Sequence, residues 1–279
     1  MRTRAGLVSR FGSRGSLAWL LILTPLFWAC DERPIVVAGA DSAAPPAAAS
    51  PEASRPEVAS ATADNADAAP PRKRRTGPCP KEATVTFDDP TLEAVVRRQL
   101  QQPTGPIARA DLHKIKTLDL AQAKSDDWLD PCMYGEFTGV KGLYLAAGTL
   151  EDVTPLKGLT LLESLRLAST AVKDLSPLIG LGKMDRLDLS HTPVEDISPL
   201  ASMVNLTELQ LDDTIVADLS PLAKTRKLEM LSIQNTRISD LGPLRVLTKL
   251  KKLYIGGSLV KDISAVQSIP GLKIFQATQ

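Results

Sequence analysis

The chain has 279 residues, 43% of them apolar and 4% aromatic, with 33 Lys and Arg against 32 Asp and Glu. Its 3 Cys and 2 His are scattered and build no zinc constellation. No glycine-rich phosphate loop is present, so neither a metal nor an organic cofactor is expected.

Residues 1–16 carry Arg2, Arg4, Arg10 and Arg14 and no acid, and Leu17 to Ala29 is an apolar run of 13 residues. This is the pattern of a secretory signal peptide over 1–29, too short to span a bilayer comfortably. Two processing sites compete. Leu26-Phe27-Trp28-Ala29-Cys30 resembles a bacterial lipobox, which implies that Cys30 becomes a lipid-anchored first residue. Phe27 and Trp28 depart from that pattern, where Leu and a small residue are usual. The alternative is cleavage after Ala38-Gly39-Ala40, which would release a soluble secreted protein, but this site lies beyond Asp31, Glu32 and Arg33. Cysteine usage favours the lipobox. In an oxidising compartment Cys79 and Cys132 can pair, and lipidation gives the odd Cys30 a use. The expectation is an exported lipoprotein held in the bacterial cell envelope through Cys30.

Cleavage before Cys30 lowers Lys plus Arg from 33 to 29 against 32 acids, a net charge near −3. That balance gives no general attraction to nucleic acid or to an anionic membrane. From residue 30 to 76 the chain is rich in Ala, Pro and Ser, as in ADSAAPPAAASPEAS. Such a composition buries no core and is expected to be a disordered tether with a reach on the order of 40 Å. The run Arg72-Lys73-Arg74-Arg75 reads as solvated linker charge.

Residues 77–142 read as an N-terminal cap with a first strand. Asp89 at N-cap and Pro90 at the first helical position open a helix whose Leu92, Val95, Val96, Gln99 and Leu100 share one face. Pro103, Gly105 and Pro106 break it, a second short helix spans Arg109 to Lys114, and Leu118-Asp119-Leu120 is a strand. The opening, Phe87-Asp88-Asp89-Pro90-Thr91-Leu92-Glu93, is similar to the F-x-D-P-x-L-E segment of helical caps that precede bacterial leucine-rich repeats. Cys132 lies in an insertion, Ala121 to Gly139, before the regular region.

From residue 143 to 274 a triplet L-x-L, or L-x-I in the last two units, returns every 22 residues, at Leu143, Leu165, Leu187, Leu209, Leu231 and Leu253, and the same count places a final strand from Phe275 to Gln279. A fixed period is the mark of a stacked-repeat architecture. In each unit the leucines of the triplet point inward and the residue between them outward. Ser176, Ser198 and Ser220 read as N-caps with Pro177, Pro199 and Pro221 at the first helical position, and the short space left favours a 3₁₀ turn. In the first unit Leu143, Leu145, Leu150, Val153, Leu156, Leu159 and Leu162 are the inward set. Their burial falls short of the entropy cost of ordering a whole unit, so neighbours must stabilise one another. One acid recurs in every unit: Asp152, Asp174, Asp196, Asp218, Asp240 and Asp262. One carboxylate per unit does not make a calcium site, and each Asp is expected to accept hydrogen bonds from turn N–H groups.

Units such as LRLASTAVKDLSPLIGLGKMDR resemble the internalin-type leucine-rich repeats of bacteria. The resemblance implies an α/β solenoid with a parallel sheet on the concave face, an irregular 3₁₀ convex side and a helical N-terminal cap.

The outward positions form ladders along the sheet. One reads Tyr144, Arg166, Asp188, Gln210, Ser232, Tyr254; the next reads Ala146, Ala168, Ser190, Asp212, Gln234, Gly256. Arg166, Arg186, Asp188, Glu208, Gln210 and Asp212, flanked by Tyr144 and Tyr254, make a mixed-charge surface, and binding hot spots favour Tyr and Arg. Ser169, His191 and Asp213 stand in successive units. A hydrolase would need an activated nucleophile, an oxyanion hole and a water-excluding pocket as well, so the expectation is a non-catalytic monomer that binds a protein or peptide. The alternatives are a structural envelope component that self-associates through its last strand edge, and a hydrolase built on that row.

Overall fold

The computed structural model describes residues 77–123 and 127–276. The leader, Cys30 and the tether read from the sequence fall outside these residues. Among the described residues no helix is long and apolar enough to cross a membrane.

The cap is built from short pieces. Strand β1 (Thr84–Val85) pairs antiparallel with β2 (Ile107–Ala108), Val85 facing Ile107, and both side chains are buried. Two residues per strand give no periodic signal, and the sequence reading had no place for this pair. Helix α1 (Pro90–Leu100) starts as its sequence dictates: the Asp89 carboxylate accepts the Thr91 N–H at 2.8 Å, and Pro90 needs no partner at the first position. Leu92 and Val96 are buried. Gln99, expected to share that apolar face, is exposed and does other work. Its Oε1 accepts from the Lys116 and Thr117 N–H groups, and its Nε2 donates to the Thr117 carbonyl. The amide gives the outermost strand of the sheet the bonds that a further strand would give.

A 3₁₀ helix, Arg109–Lys114, leads into β3 (Thr117–Asp119). The insertion that follows contains a four-residue helix, α2 (Pro131–Tyr134), whose Asp130 accepts the Cys132 N–H at 2.9 Å. Leu129, Tyr134, Phe137 and Val140 are buried, with the Tyr134 and Phe137 rings edge-to-face. At Gly139 the insertion passes so close to the 3₁₀ helix that a Cβ would lie 1.7 Å from the His113 carbonyl oxygen. Cys132 is bonded to Cys79, 53 residues earlier, with a Cα–Cα distance of 5.2 Å. Closing a loop of that length is worth about 4 kcal/mol in the chain-entropy description.

The repeats form one parallel sheet of eight strands in chain order from β3 to β10. After β3 come β4 (Gly142–Tyr144), β5 (Ser164–Arg166), β6 (Arg186–Asp188) and β7 (Glu208–Gln210). Then follow β8 (Met230–Ser232), β9 (Lys252–Tyr254) and β10 (Lys273–Phe275). Register puts leucine on leucine from Leu118 to Leu253. All seven inward residues expected for the first unit are buried. The chain is therefore an α/β solenoid, its strands on one side and 3₁₀ turns on the other.

The last unit departs from the count. Ile274, not Phe275, pairs with Leu253, and β10 begins at Lys273, two residues before the expected final strand. The sixth unit is thus 21 residues long, shortened between Leu272 and Ile274. Packing decides the register: one residue less keeps an aliphatic side chain over Leu253 and turns Phe275 outward, where its ring stacks on Tyr254 at 4.5 Å.

The turn side corrects the expected caps. The 3₁₀ segments Ser176–Leu178, Ser198–Ser202 and Ser220–Lys224 begin at the serine itself, with the proline second. The residue at N-cap is Leu175, Ile197 or Leu219, which offers no side-chain oxygen. The aspartate one step earlier supplies it. Asp152, Asp174, Asp196, Asp218, Asp240 and Asp262 each accept the N–H two residues on, at 2.7–2.8 Å. A second ladder lies inside: the buried hydroxyls of Thr170, Thr192, Thr214 and Thr236 donate to the carbonyls three residues back at 2.6–2.7 Å.

Ser176, Ser198 and Ser220 hydroxyls and then backbone N–H groups hold Asp174, Asp196 and Asp218 below the usual carboxylate pKa; at Asp262 the Ser264 N–H contributes most and its hydroxyl next. A carboxylate whose folded pKa is depressed adds stability above its unfolded pKa of about 4 and loses it as pH falls through the folded value. Asp196→Asn should therefore lower the thermal midpoint at neutral pH, and its deficit should shrink as pH falls below about 4. A deficit that stays constant to the acid limit would mean that the charge of Asp196 contributes nothing.

Candidate binding surface on the exposed sheet face

The face opposite the leucines carries the charged residues singled out from the sequence, and the parallel register brings them together. Neighbouring strands lie about 4.8 Å apart, so residues in one column touch across the ladder. Arg166 on β5 meets Asp188 on β6, Nε to Oδ2, at 3.3 Å. One column over, Arg186 on β6 reaches Glu208 on β7 at 3.5 Å and the adjacent Asp185 at 3.7 Å. Both arginines are more than half exposed, at 52% and 59%. Pairs this open are worth about 0–1 kcal/mol, so they can exchange partners at little cost.

The eight expected residues do not play equal parts. Asp188 is less open, and its Oδ1 also accepts the Ser190 N–H at 3.0 Å. Asp212 turns out to be structural: its Oδ1 takes the Ser232 hydroxyl at 2.5 Å and the Gln234 N–H of the next unit at 2.8 Å. Gln210 is half-buried between strands. Tyr144 and Tyr254 stand on β4 and β9 as expected. Tyr254 is half of a parallel stack with Phe275, which the 22-residue count had placed inward.

A shallow hollow near the cap end gathers residues that the ladders did not single out. Tyr144 and Arg186 line it together with Gly142, Ser164 and the Lys141–Glu163 pair, whose Nζ–Oε1 distance is 2.7 Å. The small residues at 142 and 164 are the only sequence signal for it, and small residues on a sheet face are otherwise unremarked.

The row Ser169, His191 and Asp213 has a backbone explanation. These residues, with Asn235, have φ of 55–59°, and Gly257 follows at 69°. Each unit from the second to the sixth leaves its strand through one left-handed residue, and that requirement sets the column. His191 Nδ1 lies 3.4 Å from Asp213 Oδ2, and Asn235 donates to Asp213 Oδ1 at 3.0 Å, while Ser169 makes no hydrogen bond to His191. Among the described residues no three His, Cys, Asp or Glu gather into a metal-binding set.

Stacked parallel strands, 3₁₀ turns and inward leucines at a near-constant period decide the fold. The described residues have the fold of a leucine-rich-repeat solenoid. In sequence, the family "Leucine Rich repeats (2 copies)" matches residues 226–268. No curated protein matches the chain. Among solved structures, an internalin of Listeria monocytogenes is similar over 68% of this solenoid-bearing chain, with 27% identity and a TM-score of 0.62. Internalin C2 of the same species is similar over 68% as well, at 28% identity and a TM-score of 0.61. The chain spans 56% of the first internalin's length and 94% of the second's. A leucine-rich-repeat protein of Leptospira interrogans shares the fold at 17% identity, with 60% of this chain and 45% of that one covered and a TM-score of 0.53.

The left-handed column predicts substitutions of opposite sign. Holding a non-glycine residue there costs about 1 kcal/mol. Ser169→Gly should accordingly leave stability unchanged or raise it slightly. Gly257→Ala should lower stability by about 1–2 kcal/mol, because its Cβ would also lie 2.0 Å from Asn235 Oδ1. Chemical denaturation of the two variants checks both signs. Equal losses would remove the backbone account of this column.

Proposed function

We propose that the protein is a non-catalytic, exported module of internalin type that binds a protein or peptide on its exposed sheet face. The observation that carries this reading is the pair of open ion pairs, Arg166–Asp188 and Arg186–Glu208, set between the half-exposed rings of Tyr144 and Tyr254. Arginine and tyrosine dominate binding hot spots, and weakly held pairs are ready to re-pair with a partner. Similarity to two internalins supports a protein-binding role, since solenoids of this kind display extended binding surfaces. A photo-crosslinking residue in place of Tyr144 or Tyr254 should trap an envelope or extracellular protein, and one in place of the exposed Lys173 should not. Arg166→Ala should then weaken binding of the trapped protein by ~2 kcal/mol or more, about 30-fold, while Lys173→Ala changes little. Equal binding by both variants, with folding intact, would place recognition off the sheet.

We further propose that the module is a lipoprotein anchored at Cys30, with the residues up to 76 as its tether. The support is the charged and apolar leader of the sequence together with the Cys79–Cys132 bond, which uses the other two cysteines and fits an oxidising compartment. Cys30→Ala should move the protein from the detergent phase to the aqueous phase. Unchanged partitioning would point to a retained apolar run or secretion by cleavage after Ala40.

A further inference from the structure

We infer that a strip along the turn side of the solenoid docks on an anionic phospholipid surface, a contact separate from the binding site proposed on the sheet. The strip comprises the five residues that follow the first three of each 3₁₀ segment: 157–161, 179–183, 201–205, 223–227, 245–249 and 267–271. In every unit the third of these five points inward, so the first, second, fourth and fifth form the outer surface, with Leu161, Gly182, Ala201, Asn205 and Ala223 half-buried and the rest exposed. Those thirty residues contain 7 Lys and Arg and no Asp or Glu, in a chain where acids are nearly as numerous as bases. Lys157, Lys183, Lys224, Arg226, Lys227, Arg245 and Lys249 are all exposed, and none makes an ion pair among the described residues. Lys227 has a neutral partner, donating to Asn205 Oδ1 at 2.6 Å. Elsewhere on the solenoid lysines and arginines do pair, as Lys141 with Glu163 and Lys251 with Glu229.

The second observation is apolar. Four large hydrophobic side chains are exposed among the described residues, and three of them lie in this strip: Ile179 at 53%, Val204 at 52% and Val246 at 38%. Ala223, Pro243, Arg245 and Val246 also line a shallow hollow beside it. Asp240 borders that hollow, with its Oδ1 already accepting the Gly242 N–H at 2.7 Å. Cations alone would suit any polyanion. Cations interleaved with solvent-facing aliphatics and cleared of acids suit an interface that is negative at its surface and apolar just beneath it. A nucleic acid or an acidic peptide offers the charge without the apolar layer. The nearly balanced charge of the whole chain, 33 Lys and Arg against 32 Asp and Glu, conceals this strip because the acids lie elsewhere. A membrane held on the strip leaves Arg166 and Arg186, across the buried leucines, free for a partner.

The test uses the full chain with vesicles of phosphatidylcholine alone and vesicles containing about one third phosphatidylserine. Any lipid anchor contributes equally to both, so the measured quantity is the ratio of the two partition coefficients. Each cation near such a surface strengthens partitioning roughly fivefold. The combined variant Lys224→Glu, Arg226→Glu, Lys249→Glu should therefore lower the ratio by roughly a hundredfold or more. The variant Ile179→Ser, Val204→Ser, Val246→Ser should weaken binding to the anionic vesicles while leaving retention on soluble polyglutamate unchanged. An unaltered ratio in the charge-reversal variant would overturn the inference and assign any anionic preference to Arg72–Arg75. Loss of polyglutamate retention without loss of vesicle binding would overturn it in favour of an acidic polypeptide. Arg166→Ala serves as an independent control: it should leave the vesicle ratio intact even if the sheet-face reading fails.

Discussion

Each turn of this solenoid depends on the turn beside it. Among the described residues no strand has more than three residues, and every strand bond of the repeats goes to a neighbour about 22 residues away. The bonds just outside the strands follow the same rule: Glu163 N–H to Lys141, Asp185 to Glu163, Thr207 to Asp185, and on to Lys273 with Lys251. A single unit has neither the burial nor the hydrogen-bond partners to persist. The two ends are therefore where the structure needs special provision, and at the beginning it has it: the Gln99 amide on β3, the helix α1 behind it and the disulfide that fastens the insertion.

The same dependence explains what the sequence disclosed. A residue that must look inward in every unit repeats at a fixed interval, so the leucines, the aspartate column and the 3₁₀ turns were legible from Leu143 onward. The cap helix was legible for a local reason, since Asp89 and Pro90 carry their meaning within one turn of chain. Features that rest on the balance between alternatives were not. A 22-residue count put Phe275 over Leu253, but an aliphatic side chain fits the stack there and Ile274 stands one residue away. The left-handed column was legible only as a Ser169, His191, Asp213 row, set aside as a triad but not explained, because no single residue type marks that backbone. The cap serines were misplaced by one position because Asp and Ser are both good caps. The carboxylate, longer by one atom, reaches the N–H from two residues away.

The exposed face of the sheet was legible as a set of columns and not as a site. Register fixes which residues are neighbours, so Arg166 beside Asp188 followed from the period alone. Whether a neighbour is free to act depends on its second contacts. Asp212 is half-buried like Asp188, yet it binds the Ser232 hydroxyl and the Gln234 N–H of the following unit. It stitches two units together, and that commitment leaves the arginines as the residues with latitude.

Net charge misleads here for a related reason. A solenoid divides its surface into columns, and each column can evolve its own charge without disturbing the leucines behind it. The aspartates are held at the start of the 3₁₀ turns by their hydrogen bonds, and Lys141 and Lys251 pair with acids of neighbouring units across the strand edge. Neither constraint reaches the turn that follows, where no backbone group calls for a carboxylate. An even mixture of signs would satisfy solubility there. Seven cations with no ion pair among the described residues, no acid and three bare aliphatics do not follow from the folding of the repeats, and a surface whose composition the fold does not require is the place to look for a second contact.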